Sequence, residues 1–199
     1  MSDTHSRLTS AIADIDAVNA DDPRRTTVDG VARPTEVVYA ERMSACLARL
    51  YPGASDALRI AARAQHISRW QIPRASYPLG RDGYNAWRAA CREHHATRAS
   101  DIMSRRGYDA TSIAHVAKII RKEDLKRDPD SQALENVVAV VFVEHHLDEF
   151  IASHADYSDD KIVTILKKTL RKMDPVGHAA LAGIALSERA ARLVTAAVS

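Results

Sequence analysis

Residues 130–150 read DSQALENVVAVVFVEHHLDEF, and this stretch decides whether the chain is all-helical or contains a sheet. The run VVAVVFV at 137–143 has the β-branched composition of a buried strand. However, it continues into acidic residues and histidines without a turn signal, and the whole stretch exceeds the about 4–8 residues of a typical strand. The length therefore favours a buried helix over 130–150 and an all-α fold.

Apolar residues recur at helical spacing on both sides of this stretch. The predicted helices are 7–18, 35–50, 56–70, 84–105, 110–122, 158–172 and 188–198, with a short helical segment after Asp174-Pro175. Thr35, Ser55 and Ser158 are suitable N-caps, and Gly107 suits a helix C-terminus. Segments 21–34 and 71–83 are predicted to be loops because they are rich in Pro, Gly and Asp or Arg. We therefore expect a single all-helical domain over residues 1–199 with about seven to nine helices.

The composition is ordinary for a soluble globular protein, with 46% apolar and 27% charged residues. No apolar run approaches the about 20 residues that cross a bilayer. The first ten residues, MSDTHSRLTS, lack the apolar core of a signal peptide. The two cysteines lie far apart and are typical of reduced thiols. These features predict a cytoplasmic protein without membrane contact, and they leave a homo-oligomer open.

The net charge of +2 conceals a segregation of charge along the chain. Between Arg59 and Arg106 there are ten Arg, no Lys and three acidic residues, a charge of +7, so the remainder carries −5. Arginine suits bidentate contacts with phosphate or carboxylate. A solvated helix face with internal ion pairs is one explanation, and an anionic ligand is the other. Nucleic acid is a less favoured partner, because several of these arginines are expected to be engaged within the fold.

Three histidines lie in the same Arg-rich region. The predicted helix 56–70 carries His66, and the next helix carries His94 and His95. If these two helices run antiparallel across the loop 71–83, His66 comes opposite the pair. Three neutral imidazoles that converge in this way suit a divalent transition metal. The alternative is that each histidine is a hydrogen-bonded core residue.

The other motifs are less informative. The pair His145-His146 closes the long apolar helix, and a solvated helix end explains it. The sequence contains no Gly-rich phosphate loop, no Gly-x-Ser-x-Gly elbow and no paired CxxC motif.

Six motifs carry a resemblance to a known family: RAQHISRWQIPRASYP (63–78), GYNAWR (83–88), EHHA (93–96), RGYD (106–109), RKEDLKRDPDSQALEN (121–136) and VFVEHH (141–146). With these motifs the chain resembles a small uncharacterised group, domain-of-unknown-function family 4202, over about residues 5 to 190. The function of that group is not established, so the resemblance implies a fold more than an activity.

The layout is also similar, more distantly, to the HD-domain phosphohydrolases. Those all-helical enzymes have a His on one helix, a His-Asp pair further along and a final Asp on a later helix. The resemblance implies an HD-like helical core with His66 first, His94-His95 at the pair, and Glu135-Asn136 at the last Asp. His95 and Asn136 replace two carboxylates, which weakens the hold on a hard divalent ion and the activation of its water.

Together these features predict metal-dependent hydrolysis of a small phosphorylated metabolite or nucleotide. The predicted ligands of the divalent metal (zinc, manganese or iron) are His66, His94, His95 and Asn136. The predicted general base or fourth ligand is Glu135. The predicted phosphate-binding cations are Arg69, Arg74, Arg81 and Lys122. The alternative is a regulatory module that binds an anionic ligand without turnover, at a degenerate HD-like site.

Overall fold

The computed structural model describes residues 2–198, with side chains from residue 6 onward, and most of this part of the chain is helical. Its elements are α1 (Ser2–Ala20), β1 (Arg25–Val28), β2 (Val31–Pro34), α2 (Thr35–Leu50), α3 (Asp56–Arg63), α4 (Gly80–Arg105), α5 (Ala110–Arg121), α6 (Pro129–His145), α7 (Leu147–Ser153), α8 (Asp159–Leu170), α9 (Pro175–Leu181) and α10 (Glu188–Val198). Short 3-10 turns at Arg69–Gln71 and Arg74–Ser76 lie between α3 and α4. The mainly helical fold is confirmed, although residues 2–198 hold ten α-helices and a hairpin. None of these helices is long and apolar enough to cross a membrane.

Helix α6 lies at the centre of the fold and contacts α2, α3, α5 and α9. From Ser131 to Val143, all its residues except Val138 and Phe142 are buried. A helix that is enclosed by other helices has no polar face, which is why the run 137–143 lacks an amphipathic pattern. The predicted buried helix is therefore confirmed. It ends earlier than predicted, because the backbone leaves helical geometry at His146 (φ −130°, ψ −9°) before α7 begins.

Segment 21–34, predicted as a loop, forms the antiparallel hairpin β1–β2. Its strands pair from Arg25 opposite Pro34 to Val28 opposite Val31. The turn residues Asp29 and Gly30 have φ values of 50° and 78°, as a two-residue hairpin turn requires. The sequence TTVDGVAR carried this signal, an Asp-Gly pair between β-formers. The loop prediction for this segment was wrong for that reason.

Helix α3 ends at Arg63, seven residues before the predicted end. The chain then turns tightly, and Ser68 adopts a left-handed conformation (φ 50°, ψ 30°) that is uncommon for a residue other than glycine. The Ser68 amide donates to Asn19 Oδ1 at 3.2 Å, which fixes the turn against α1. His66 therefore lies in this turn and not on a helix face as predicted.

Asn136 connects three elements through its buried side-chain amide. Its Nδ2 donates to Tyr51 Oη at 2.6 Å and to Asp174 Oδ1 at 2.7 Å. Its Oδ1 accepts from Gln132 Nε2 and from the Asp174 amide, both at 3.1 Å. A side-chain amide has two donors and two acceptor lone pairs, so this group is fully satisfied. The network joins the end of α2 and the start of α9 to α6.

We expect Asn136→Asp to lower the free energy of unfolding by about 1–3 kcal/mol or more. Aspartate cannot donate to Tyr51, and it places a second carboxylate beside Asp174. Urea denaturation followed by circular dichroism measures the change. The exposed Asn85 gives the matched control, and Asn85→Asp should change the stability by less than about 0.5 kcal/mol. Equal losses in both variants would show that the network contributes nothing specific.

Candidate functional site

His66 is held between residues of α2 and the turn that follows α3. Its ring stacks on Tyr39 with centroids 3.9 Å apart and planes 10° apart. Its Nδ1 lies 3.6 Å from Glu36 Oε2, and its Nε2 lies 2.5 Å from Arg69 Nη1. Burial, together with the charges of Arg69 and Lys122, lowers the pKa of His66 well below its usual value. The imidazole is therefore neutral at pH 7, with both nitrogens in contact with charged partners.

Glu36 is a buried carboxylate at the start of α2, with 3% of its surface exposed. Arg24 Nη2 donates to its Oε1 at 2.5 Å, and its backbone amide donates to Asp22 Oδ2 at 3.0 Å. Burial raises the pKa of Glu36 in spite of Arg24. Glu36 and Tyr39 were not predicted from the sequence as site residues. The sequence did contain a signal for Glu36, which lies three residues before Tyr39 and seven before the buried Met43, and so on the same helix face. Charged residues rarely lie on a helix face that packs against the core, and one that does needs a buried partner.

Lys122 and Glu135 form a buried ion pair beside this group, and each side chain is 6% exposed. Lys122 is placed there by its left-handed backbone at the end of α5 (φ 60°). Burial lowers the pKa of Lys122. Burial alone would raise the pKa of Glu135, but Lys122 and Lys172 outweigh it and the pKa is lowered. The predicted general base is thus a carboxylate that pairs with one of the predicted phosphate-binding cations.

Five aromatic rings follow one another across the cluster, in the order His146, Tyr39, His66, His95 and His94. The centroid distances between successive rings are 6.0, 3.9, 5.8 and 5.8 Å. His95 Nδ1 donates to the Ile67 carbonyl at 2.9 Å. The Nε2 atoms of His94, His95 and His146 are buried and have no partner among the described residues. Burial also lowers the pKa of His146 to about 4, so it belongs to this cluster and not to a solvated helix end.

Two arginines add positive charge to the cluster. The guanidinium of Arg69 lies over the Trp87 ring, 4.7 Å from its centroid. The charge of Arg88 lowers the pKa of both Lys122 and Glu135, in addition to their larger burial and ion-pair effects. In the part of the chain that the structure describes, neither arginine has a carboxylate within 4.0 Å. Neither guanidinium therefore forms an ion pair within the described chain, although the charge of Arg69 acts on Glu36 and partly offsets the rise that burial causes in the pKa of that carboxyl.

The other two predicted phosphate-binding residues lie on the loop and at the start of α4. Arg74 donates to the backbone carbonyls of Tyr77 and Pro78, both at 2.9 Å, and so holds the loop conformation. Arg81 is exposed in the first turn of α4. Within residues 2–198 neither residue forms a hydrogen bond or ion pair with the histidines, so the structure brings together only Arg69 and Lys122 of the four.

The predicted metal ligands are assembled only in part. Within residues 2–198 there is no group of three or more His, Cys, Asp or Glu side chains that could hold an ion. His66 uses both nitrogens on Glu36 and Arg69, and the amide of Asn136 is saturated. Among the predicted ligands, only His94 and His95 have an Nε2 atom without a hydrogen-bond partner in this part of the chain. Within the described residues the predicted ligands are therefore not arranged around one point, and a metal at this cluster stays a prediction.

Acid should destabilise the protein through these buried imidazoles. The pKa of His146 is 6.5 in its ordinary state and about 4 in the fold, so the unfolded chain takes up a proton first as the pH falls. The stability that this group contributes is complete above pH 6.5 and is lost as the pH falls toward 4. Unfolding of His146→Gln should therefore take up about one proton fewer than unfolding of the wild type over this window. Its unfolding free energy should fall less steeply as the pH is lowered.

Urea denaturation at a series of pH values measures this dependence. His178 is exposed, and His178→Gln is the control that should leave it as in the wild type. An unchanged dependence in His146→Gln would contradict the burial argument.

Comparison with known proteins gives one match. A family model described as domain of unknown function (DUF4202) matches residues 9–194. No curated protein and no solved structure matches the chain, so the HD-domain resemblance stays a prediction. Because the family model covers most of the sequence, the chain belongs to the DUF4202 family.

Proposed function

We propose that the protein binds a small phosphorylated metabolite or nucleotide at the His66 cluster and hydrolyses its phosphate. The observation that supports this proposal is the uncompensated positive charge beside neutral imidazoles. Arg69 and Arg88 have no carboxylate partner among the described residues, and the charge of Lys122 is already matched by Glu135. Bound phosphate supplies the missing negative charge through charge-assisted hydrogen bonds.

Arg69 is well placed to change partners when such an anion arrives. In the free protein it donates to a neutral nitrogen, His66 Nε2. A phosphate carries full negative charge and can accept two parallel N–H bonds from one guanidinium, so it attracts Arg69 more strongly than a neutral imidazole nitrogen does. The stacking of Arg69 on Trp87 can persist during this change, because it involves the face of the guanidinium while the hydrogen bonds lie in its plane. Arg88 offers a second guanidinium to the same phosphate.

Hydrolysis is proposed because neutral imidazoles supply groups that accept and return a proton near neutral pH. The lowered pKa of His66 keeps its ring unprotonated at neutral pH and also makes it a weaker base, so the proposed base needs a neighbouring anion to stabilise the imidazolium. A divalent metal remains part of the hypothesis. The proposed location is the cytoplasm, in agreement with Cys46 and Cys91, which are free and buried.

A binding module without turnover is the second candidate. It is favoured by the state of Glu135 and Asn136, the residues at the position of the final Asp of HD enzymes. Glu135 is paired with Lys122, and Asn136 serves the network that joins α2 and α9 to α6. Neither group is available to a ligand. This is the state that we expect of an HD-like site that has lost its catalytic function.

We expect phosphate-bearing ligands to raise the melting temperature of the wild type by roughly 5–10 °C at about 100 times Kd. The probes are inorganic phosphate, ribose 5-phosphate, AMP and ADP, and phosphate release is assayed in parallel. Arg88→Gln should weaken binding about tenfold or more, because it removes a charge-assisted contact. Arg105, which is exposed at the far end of α4, provides the matched control, and Arg105→Gln should bind as the wild type does.

The same experiment separates the candidates. Melting shifts without phosphate release, with and without added Zn²⁺ or Mn²⁺, would replace hydrolysis by the binding module. Elemental analysis of untagged protein, together with loss of phosphate release in EDTA, would establish the metal. Ligand shifts that are absent for every probe would contradict the proposal as a whole.

A further inference from the structure

Glu36 is the carboxylate that contacts His66, and it comes from α2, an element that the sequence analysis left out of the site. We infer that Glu36 is the positioning residue for His66: it holds the imidazole with its proton on Nδ1, so that Nε2 is the atom that exchanges protons with the substrate. This inference rests on the proposed hydrolysis and assigns the residues that carry it out.

The two sides of the imidazole fix its tautomer. A guanidinium has only donors, so the 2.5 Å contact with Arg69 Nη1 requires a lone pair on His66 Nε2. The proton of the neutral ring is then on Nδ1, and Glu36 Oε2 lies 3.6 Å from this atom. A carboxylate that faces the distal nitrogen of a catalytic imidazole sets its tautomer and stabilises the imidazolium that forms during reaction.

Glu36 itself is held from several directions, as a positioning group must be. Arg24 donates to one oxygen at 2.5 Å, and Asp22 accepts the Glu36 backbone amide at 3.0 Å. Asp22 is itself fully buried and bound by Arg24 at 3.0 Å. The stacking on Tyr39 fixes the plane of the His66 ring. Neither the carboxylate nor the imidazole can turn without breaking these contacts.

Arg69 gives the arrangement an order of events. Its guanidinium covers His66 Nε2 in the free protein, and a phosphate that attracts Arg69 leaves Nε2 open to a water molecule. The oxygen of this water forms a bond to phosphorus while its proton passes to Nε2. The ester P–O bond breaks, and the imidazolium returns the proton to the leaving oxygen. One water is consumed, and the products are an alcohol and inorganic phosphate.

Charged and titratable groups surround His66 on every element packed against the ring. They are Arg24 before β1, Glu36 and Tyr39 on α2, Arg69 in the turn, His95 on α4, Lys122 after α5 and His146 after α6. Glu36 is the anion in contact with the ring, so its removal makes the imidazolium that forms during reaction less stable.

The decisive measurement is the tautomer, read from ¹⁵N spectra of histidine-labelled protein without ligand. The His66 signals are assigned by their loss in His66→Gln. In the wild type we expect a protonated Nδ1 and a lone pair on Nε2.

Arg69 still donates to Nε2 in ligand-free Glu36→Gln, so the role of Glu36 is read in the absence of Arg69. In Arg69→Gln we expect Nδ1 to stay protonated, and in Arg69→Gln combined with Glu36→Gln we expect a mixture of both tautomers. Glu36→Gln alone should lower kcat by up to about 100-fold, as for loss of acid–base catalysis, with KM little changed. Glu36→Asp should restore part of the rate.

Glu41 on the same helix provides the matched control, because it pairs with Arg33 at the surface. Glu41→Gln should keep the wild-type spectrum, rate and pH profile. A wild-type His66 protonated on Nε2 would overturn the inference even if Glu36→Gln failed to fold, and it would leave ligand binding untouched. Equal rates in Glu36→Gln and the wild type would also overturn it. Absence of phosphate release in the wild type would instead refute the proposed function, and with it the acid–base role.

Discussion

Helix α6 is enclosed by other helices, so each polar group that it carries must find a partner inside the protein. An unpaired charge in the protein interior destabilises the fold by several kcal/mol, which is far more than the loss of one apolar contact does. Glu135 meets this requirement with Lys122, and Asn136 meets it with Tyr51 and Asp174. These pairings determine where α5 ends and where α9 begins. The arrangement of the helices around α6 is therefore set by polar satisfaction as much as by apolar packing.

The same requirement produces the candidate site. Glu36 enters the core on α2, and its neighbours Arg24 and His66 are the groups that make its burial tolerable. Burial shifts the pKa values of Glu36 and His66 in opposite directions, each toward its neutral form. Perturbed titration of this kind is common at functional sites and also occurs in structural ion pairs. What distinguishes this cluster is that two of its guanidinium groups, Arg69 and Arg88, form no ion pair among the described residues, whereas Arg24 and Lys122 do.

Helix existence could be predicted from the sequence because periodicity is a local property, and the run 137–143 was assigned correctly by length alone. Two features could not be predicted from the sequence because they depend on contacts between residues that are distant along the chain. The end of α3 at Arg63 depends on Asn19, which holds the Ser68 turn from another helix. The proximity of His66 and His95 was predicted from spacing, but the partners that occupy the His66 nitrogens were not. The spacing of histidines in the sequence predicts which imidazoles come close together. The groups that contact their ring nitrogens are seen only in the tertiary structure.

The hairpin has a consequence for which positions tolerate substitution. Gly30 is exposed, and a side chain added there would meet no neighbouring atom, so steric crowding gives no reason against its substitution. Yet the hairpin closes where the Thr35 amide donates to the Arg24 carbonyl at 3.1 Å, and the Arg24 side chain donates to the Glu36 carboxylate. A side chain that strains the positive φ of Gly30 loosens this closure. Sequence variation in this family should then be restricted at a surface turn, because that turn governs the orientation of a buried carboxylate.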